Sequence, residues 1–385
     1  MDNFEVQEQR PNGRKRKLGC LIAVIVLIVL MVLSPIVFYF GNLLYQEGMD
    51  NKYGGHGFDY MGGWSSTDFT GYHVYDGDKL VELDHSADLT IEGVENMPVL
   101  DGAEACYPLY SAIAKTIYKD IDLIELDAQK AYEELPEDDV WDDEDEEIWS
   151  WSEYNGRVVS FSNTVKAYYR LVEKEVDLVF GASPSQDQMD FATSEGERIE
   201  PIPIGREGFV FFVEEDNPVD SLTSEEVRKI YSGEITNWSE VGGKNQKITA
   251  FQRPEESGSQ VMMKYFMGET SLMEPDKYTV VGGMGEVIES VKQYHHKRGA
   301  IAYTFNYFLT GLQQEKDVKI LAIDGVYPNT ESIADGSYPL VVNLVCSKLE
   351  SNDDPYVQEV LDFILSDDGQ ELVEKTGYAP LKVGK

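Results

Sequence analysis

Positions 18–40 read LGCLIAVIVLIVLMVLSPIVFYF, a run of 23 residues without a charged side chain. As a helix it reaches about 34 Å, enough to cross a hydrocarbon core of about 30 Å, and the pattern predicts a membrane-spanning anchor. Further along, the periodicity shortens. Ala87-Asp-Leu-Thr-Ile-Glu-Gly-Val94 alternates as a strand does. Glu175-Val-Asp-Leu-Val-Phe-Gly-Ala182 and Gly208-Phe-Val-Phe-Phe-Val213 are short apolar runs bounded by turn residues, suited to buried strands, as are Gly299–Tyr303 and Tyr338–Val345. Thr223-Ser-Glu-Glu226 is a capping box that opens a helix through Val227 and Ile230, and Tyr356–Ile364 and Gly369–Lys375 predict two closing helices. Strands and helices that interleave in this way predict an α/β fold. No internal repeat is visible.

Arg10, Arg14, Lys15, Arg16 and Lys17 stand just before the apolar run, which places the N-terminus in the cytoplasm and the remainder of the chain outside. A cleaved signal peptide would have a shorter apolar region and a small-residue cleavage site, whereas Phe38-Tyr-Phe-Gly-Asn-Leu-Leu-Tyr45 follows here. Cys20 lies at the front of the run, the wrong order for a lipoprotein cysteine. Residues 41–96, Gly- and Tyr-rich at first, are expected to form a stalk and lead-in. Residues 133–147 carry eleven acids and no base, the pattern of a solvated surface loop, and they lack the spacing of a calcium loop. The formal net charge of −38 excludes a general nucleic-acid binder. Three cysteines without a C-x-x-C pair exclude a disulfide scaffold and argue against zinc; Cys106 and Cys346 are expected as buried free thiols.

The candidate chemistry lies at three helix starts. In Phe251-Gln-Arg-Pro-Glu-Glu-Ser-Gly-Ser-Gln260, Pro254 biases Arg253 toward an extended conformation, and Ser257-Gly258-Ser259 opens a helix. The first amides of a helix have no partner within it, Gly258 lets an anion approach them, and Arg253 offers a planar fork for a tetrahedral oxyanion. Gly102-Ala-Glu-Ala-Cys-Tyr-Pro108 and Phe161-Ser-Asn-Thr164 precede helices in the same style. Three such ends aimed at one point would offer about +1.5 charges, and Arg253 raises that to about +2.5, a match for a doubly charged anion. An ordinary N-cap beside a surface arginine reads similarly, so spacing leaves both open.

The stretches DGAEACYPLYSA (101–112), VDLVFGASPS (176–185), DNPVDSLTSEEVRKIYSGEITNWSEVGG (216–243), FQRPEESGSQ (251–260) and GAIAYTFNYF (299–308) make residues 98–381 resemble the phosphate-binding proteins of bacterial phosphate ABC importers, the PstS-like family. The resemblance implies a two-lobed periplasmic-binding-protein type II fold. One lobe would span about 97–204 plus 336–385 and the other 205–335, joined by crossing strands near Gly208–Val213 and Tyr338–Val345. It implies phosphate contacts at Arg253, Ser257, Gly258 and Ser259, backbone donors at Ala105 and Tyr107, a hydroxyl near Thr164, and Glu255 steadying the arginine. It also implies an ABC permease and ATPase as partners, and neither cofactor nor catalysis.

The sequence departs from that family in three places. Cys106 stands where a Ser or Thr hydroxyl is usual, and a thiol is a weaker donor. Pro184 stands where an aspartate accepts a hydrogen from phosphate, with Ser185 beside it as a less selective substitute. Glu104 adds a carboxylate close to the expected site, either in that aspartate's role or facing solvent. These departures keep another small ligand or a sensory role in view. An exported hydrolase would need a nucleophile with an adjacent base, and none of His56, His73, His85, His295 or His296 lies in a G-x-S-x-G or H-E-x-x-H pattern.

Overall fold

The computed structural model describes residues 67–133, 156–254, 257–275, 279–281, 284–293, 299–314 and 316–381. The expected anchor at 18–40, residues 134–147 of the acidic run, Glu255, His56 and the His295-His296 pair lie outside them. Among the described residues no helix is long and apolar enough to cross a membrane. The chain divides into a unit Met1–Lys52, outside the described residues, and a unit Tyr53–Lys385, to which all that follows belongs.

In chain order the strands are β1 Leu100–Gly102, β2 Leu178–Gly181, β3 Ile199–Glu214, β4 Ser221–Leu222, β5 Thr249–Ala250, β6 Ala300–Phe305, β7 Val318–Ile320, β8 Ala322–Ile323, β9 Val341–Leu349 and β10 Ala379–Pro380. The helices are α1 Tyr107–Ile117, α2 Ile121–Glu133, α3 Thr164–Val172, α4 Gln186–Ser194, α5 Ser224–Tyr231, α6 Gly258–Met267, α7 Met284–Gln293, α8 Thr330–Asp335, α9 Pro355–Leu365 and α10 Asp367–Thr376.

β3 organises the molecule. Its first half pairs antiparallel with β9 through Ile199–Gly208 and with β10 at Gly205–Arg206. Its second half turns to other partners: β6 along Phe209–Val213 and β7 along Phe212–Glu214. The first half thus belongs to a sheet with β9, β2 and β1, and the second to a sheet with β6, β7 and β5. Phe209 to Val213 are all at most 1% exposed, because helices cover both faces of that half. This explains why the run is unbroken apolar rather than alternating.

Each half of β3 carries its own core. Around the first, Leu109, Tyr110, Ile113, Phe180, Ile364 and Leu372 pack on one face of the sheet, while Tyr168, Leu171, Val179 and Ala192 pack on the other. Around the second, Phe211, Val227, Ile230, Trp238, Met263, Val291 and Ile301 form a separate cluster. The result is a two-lobed α/β fold in which β3 runs from the sheet of β9, β2 and β1 into that of β6, β7 and β5.

Local rules account for most of the helix ends. At α5, Thr223 Oγ1 accepts the Glu226 amide at 3.1 Å, and Glu226 Oε2 accepts the Thr223 amide at 2.8 Å. The expected strand at 87–94 is absent. Only Ile91 makes a bridge, to Tyr118, and Gly93 at φ 84° turns the chain away. The lead-in is no detached stalk from Thr67 onward: Phe69, Val74, Leu80 and Ile91 are buried in the first lobe, where Phe69 stacks edge-on against Tyr107 and Phe161. Cys106 and Cys346 are both buried free thiols.

Candidate anion-binding site

The two lobes enclose one small cavity where the strands cross, of about 30 Å³. Space on that scale admits a ligand of a few heavy atoms and no peptide or sugar chain. Its lining draws Ala103, Ala105, Cys106, Thr164, Gly181 and Ala182 from the first lobe, and Arg253, Gly258, Ser259 and Met284 from the second. Glu207 of β3, Asn343 of β9 and Tyr378 complete it from the crossing region.

Each contributing segment is fixed by its own backbone chemistry. β1 ends at Asp101-Gly102, where a β-carbon on Gly102 would stand 2.2 Å from the Phe180 carbonyl oxygen, so only glycine fits. The chain then makes a tight turn over Glu104–Cys106 and runs into α1 with Pro108 in its first turn. α3 starts beside it, with Asn163 Oδ1 capping the Lys166 amide at 3.0 Å. A buried network holds these two starts together: Asp101 accepts from Ser162 Oγ at 2.9 Å and Arg170 Nη1 at 2.5 Å. Burial pushes the Asp101 carboxyl up, and the Arg170 charge opposes that shift.

From the second lobe, Ser257 caps α6 by accepting the Gln260 amide at 3.3 Å. The Gln260 side chain turns back, and its Oε1 accepts the Arg253 amide at 3.2 Å, as does the Tyr303 hydroxyl at 3.2 Å. Arg253 is therefore held by its main chain with its side chain in the cavity wall, 2% exposed. Gly258 faces the first lobe so closely that a β-carbon there would lie 3.1 Å from Ala182 Cβ and 3.3 Å from Thr164 Oγ1.

Of the residues singled out by sequence, Ala105, Cys106, Thr164, Arg253, Gly258 and Ser259 meet at this cavity. Residues at three helix starts therefore share one lining. Others do not line it. Tyr107 bonds its hydroxyl to His73 Nδ1 at 2.7 Å and spends its amide on the Glu104 carbonyl. The Cys106 amide is likewise bonded to the Ala103 carbonyl, at 2.8 Å. Ser185 is absorbed in a capping box with Gln188, while Ser257 serves as the cap of α6. Glu104 is buried outside the lining and accepts from Thr67 Oγ1 at 3.2 Å. Glu255 lies outside the described residues.

Among the lining groups that sequence reading did not single out are Tyr378 and Glu207. Tyr378 donates to the Ala105 carbonyl at 2.6 Å and stiffens the turn before α1. Glu207 is 5% exposed, and burial pushes its carboxyl up to about 8. The only signal for it was an acid set directly before a wholly apolar strand. Burial also pushes the Cys106 thiol up, to about 12, with Glu207 adding to the shift. Its sulfur is thus a neutral, weak donor. Neither described histidine lies at the cavity: His73 is bonded to Tyr107, and His85 to Asp368. No nucleophile–base pair is formed there from the described histidines.

In sequence the chain is similar to binding proteins. The chain is 30% identical over 182 residues to the phosphate-binding protein PstS of Borreliella burgdorferi, and 31% identical over 176 residues to that of Bacillus subtilis. Those stretches are 46% and 45% of this chain and span 64% and 55% of the relatives' own lengths. In structure it is similar to a protein named as a phosphate ABC transporter substrate-binding protein from Clostridium perfringens, with bound phosphate. That likeness has a TM-score of 0.52 at 19% identity, covers 74% of this chain and 99% of the other, and bears on the fold. Residues 152–368, more than half of the chain, match the family model described as the PBP superfamily domain, and the chain belongs to that family.

Proposed function

We propose that this chain captures inorganic phosphate reversibly in the cleft between its lobes, with no bond made or broken, and hands it to an ABC importer made of permease and ATPase subunits. The observation that carries the reading is the meeting of Arg253, Thr164, Gly258, Ser259, Ala105 and Cys106 around one small cavity at three helix starts. A doubly charged tetrahedral anion suits that arrangement, since helix amides and a guanidinium fork supply donors and compensating charge without a mobile counterion. The two relatives named as phosphate-binding proteins point the same way.

In this reading Ser257 and Glu255 support the arginine loop, and Tyr107 and Ser185 act through the backbone rather than on the ligand. The lobes divide at about 97–204 plus 336–385 and at 205–335. The apolar run 18–40 anchors the protein as a single span, with its N-terminus cytoplasmic and the binding domain outside. Tethering would keep the loaded cleft at high effective concentration near the permease.

Calorimetric titration of the full-length chain in detergent with inorganic phosphate tests this. One site per chain is expected, and Arg253→Ala should weaken it about a hundredfold, since a charge-assisted bidentate contact is lost. A wild-type trace without heat of binding would overturn the proposal.

A further inference from the structure

We infer that the lead-in before the first strand belongs to the binding machinery. Thr67 is a positioning residue that ties the turn at the anion cavity to Gln313 of the second lobe, and so slows release of the ligand. The inference rests on the phosphate reading above and adds residues and a kinetic role which that reading does not contain.

Thr67 Oγ1 makes two contacts at once. It donates to Glu104 Oε2 at 3.2 Å and accepts from Gln313 Nε2 at 3.2 Å. Glu104 is buried in the turn Glu104–Cys106, and Ala103, Ala105 and Cys106 around it line the cavity. Gln313 follows the turn Phe308–Leu312 directly, and its amide is bonded to the Phe308 carbonyl at 2.9 Å. Phe308 and Leu309 are buried in the second lobe's core, while Leu312 packs against the cores of both lobes. One half-buried hydroxyl of the lead-in thus joins the first lobe's cavity turn to the second lobe.

The residues that follow hold this hydroxyl in place. Phe69 is buried, with its ring edge-on to Tyr107 at 4.9 Å and to Phe161 at 4.7 Å between centroids. Tyr107 is the first residue of α1, and Phe161 stands three residues before Thr164, the first of α3. The lead-in therefore packs on two of the helix starts that reach the cavity. His73 Nδ1 bonds the Tyr107 hydroxyl at 2.7 Å, a second point of attachment on α1. Between these anchors the Asp76 carboxylate accepts the Gly71 amide at 3.1 Å and the His73 amide at 3.0 Å. Gly71 takes φ +86°, and a β-carbon there would stand 2.4 Å from Asp78 Oδ1.

A hydrogen bond between lobes exists only while the cleft is closed, so it favours the closed form and has to break before a trapped ion leaves. Encounter of the ion with an open cleft comes earlier, when the bond is absent. Loss of the contact therefore acts on dissociation and spares association.

Stopped-flow association and dissociation rates for inorganic phosphate on the full-length chain, with thermal melting alongside, test this. Thr67→Val keeps the shape and removes the hydroxyl. Its dissociation rate should rise about fivefold, with association changed by less than about twofold. Thr67→Ser retains the hydroxyl and should return the dissociation rate to that of the wild type. Gln313→Ala should also speed dissociation, and adding it to Thr67→Val should bring no further increase, because both remove one contact. An unchanged dissociation rate in Thr67→Val, even with a lowered Tm, overturns the inference while leaving phosphate capture intact. So do independent effects that multiply in the double variant. Absence of phosphate binding by the wild type overturns both. If Thr67→Val fails to fold, the dissociation rate of Gln313→Ala decides: faster supports the inference and unchanged overturns it.

Discussion

At the residue scale, the cavity shows how burial rewrites side-chain chemistry. Cys106 stands where sequence reasoning placed a hydroxyl ligand, and its burial keeps the sulfur as an uncharged thiol below about pH 12. Thiol reagents need the thiolate and access to it. Cys106 and Cys346 should therefore resist a disulfide-exchange reagent in the native protein at pH 8 and react on unfolding, as a timed absorbance assay would report. Rapid labelling of Cys106 in the folded chain would contradict this environment. The same burial pushes the Glu207 carboxyl up to about 8. Residue type alone reveals neither effect, because desolvation is set by what packs around the group. Arg253 differs: its proline-terminated strand and the Ser-Gly-Ser start beside it were legible directly from the local pattern.

At the element scale, the decisive contact is between α6 and the first lobe. A β-carbon at Gly258 would be tight against Ala182 and Thr164, on opposite sides of the cleft from the helix that carries it. Gly258→Ala should therefore leave α6 at least as stable, since alanine is the better helix former. It should nonetheless weaken phosphate binding about tenfold, because the extra methyl opposes approach of the lobes. Thermal melting paired with titration separates the two effects. A variant that melts early yet binds normally would refute the contact as drawn. Capping engages two of the other expected ligands. Ser185 and Ser257 have the sequence signature of helix starts, and each uses its hydroxyl on an amide three residues on rather than on the cavity. Sequence locates a cap reliably, but the same hydroxyl in the same pattern could serve either purpose.

At the scale of the whole molecule, β3 runs through both separately packed lobes, so a ligand held by both must stabilise the folded chain as a unit. Phosphate at a hundredfold excess over its Kd should add about 2.7 kcal/mol, seen as an upward shift in Tm that Arg253→Ala abolishes. Equal shifts with and without Arg253 would place any stabilisation elsewhere. The chain's own pattern determined the α/β class, the main buried strands, the anchor expectation and the helix starts near 107, 164 and 258, because these follow from local periodicity and capping. It misjudged 87–94, where alternation found no sheet edge to join, and the lead-in from Thr67, whose aromatic residues bury in the first lobe. Only the tertiary structure decided that three distant helix starts face one cavity, that Tyr107 turns away to His73, and that Glu207 faces inward. Those outcomes depend on which strand edges pair across more than a hundred residues, and a side chain's solvent, charge partners and direction exist only after that pairing is made.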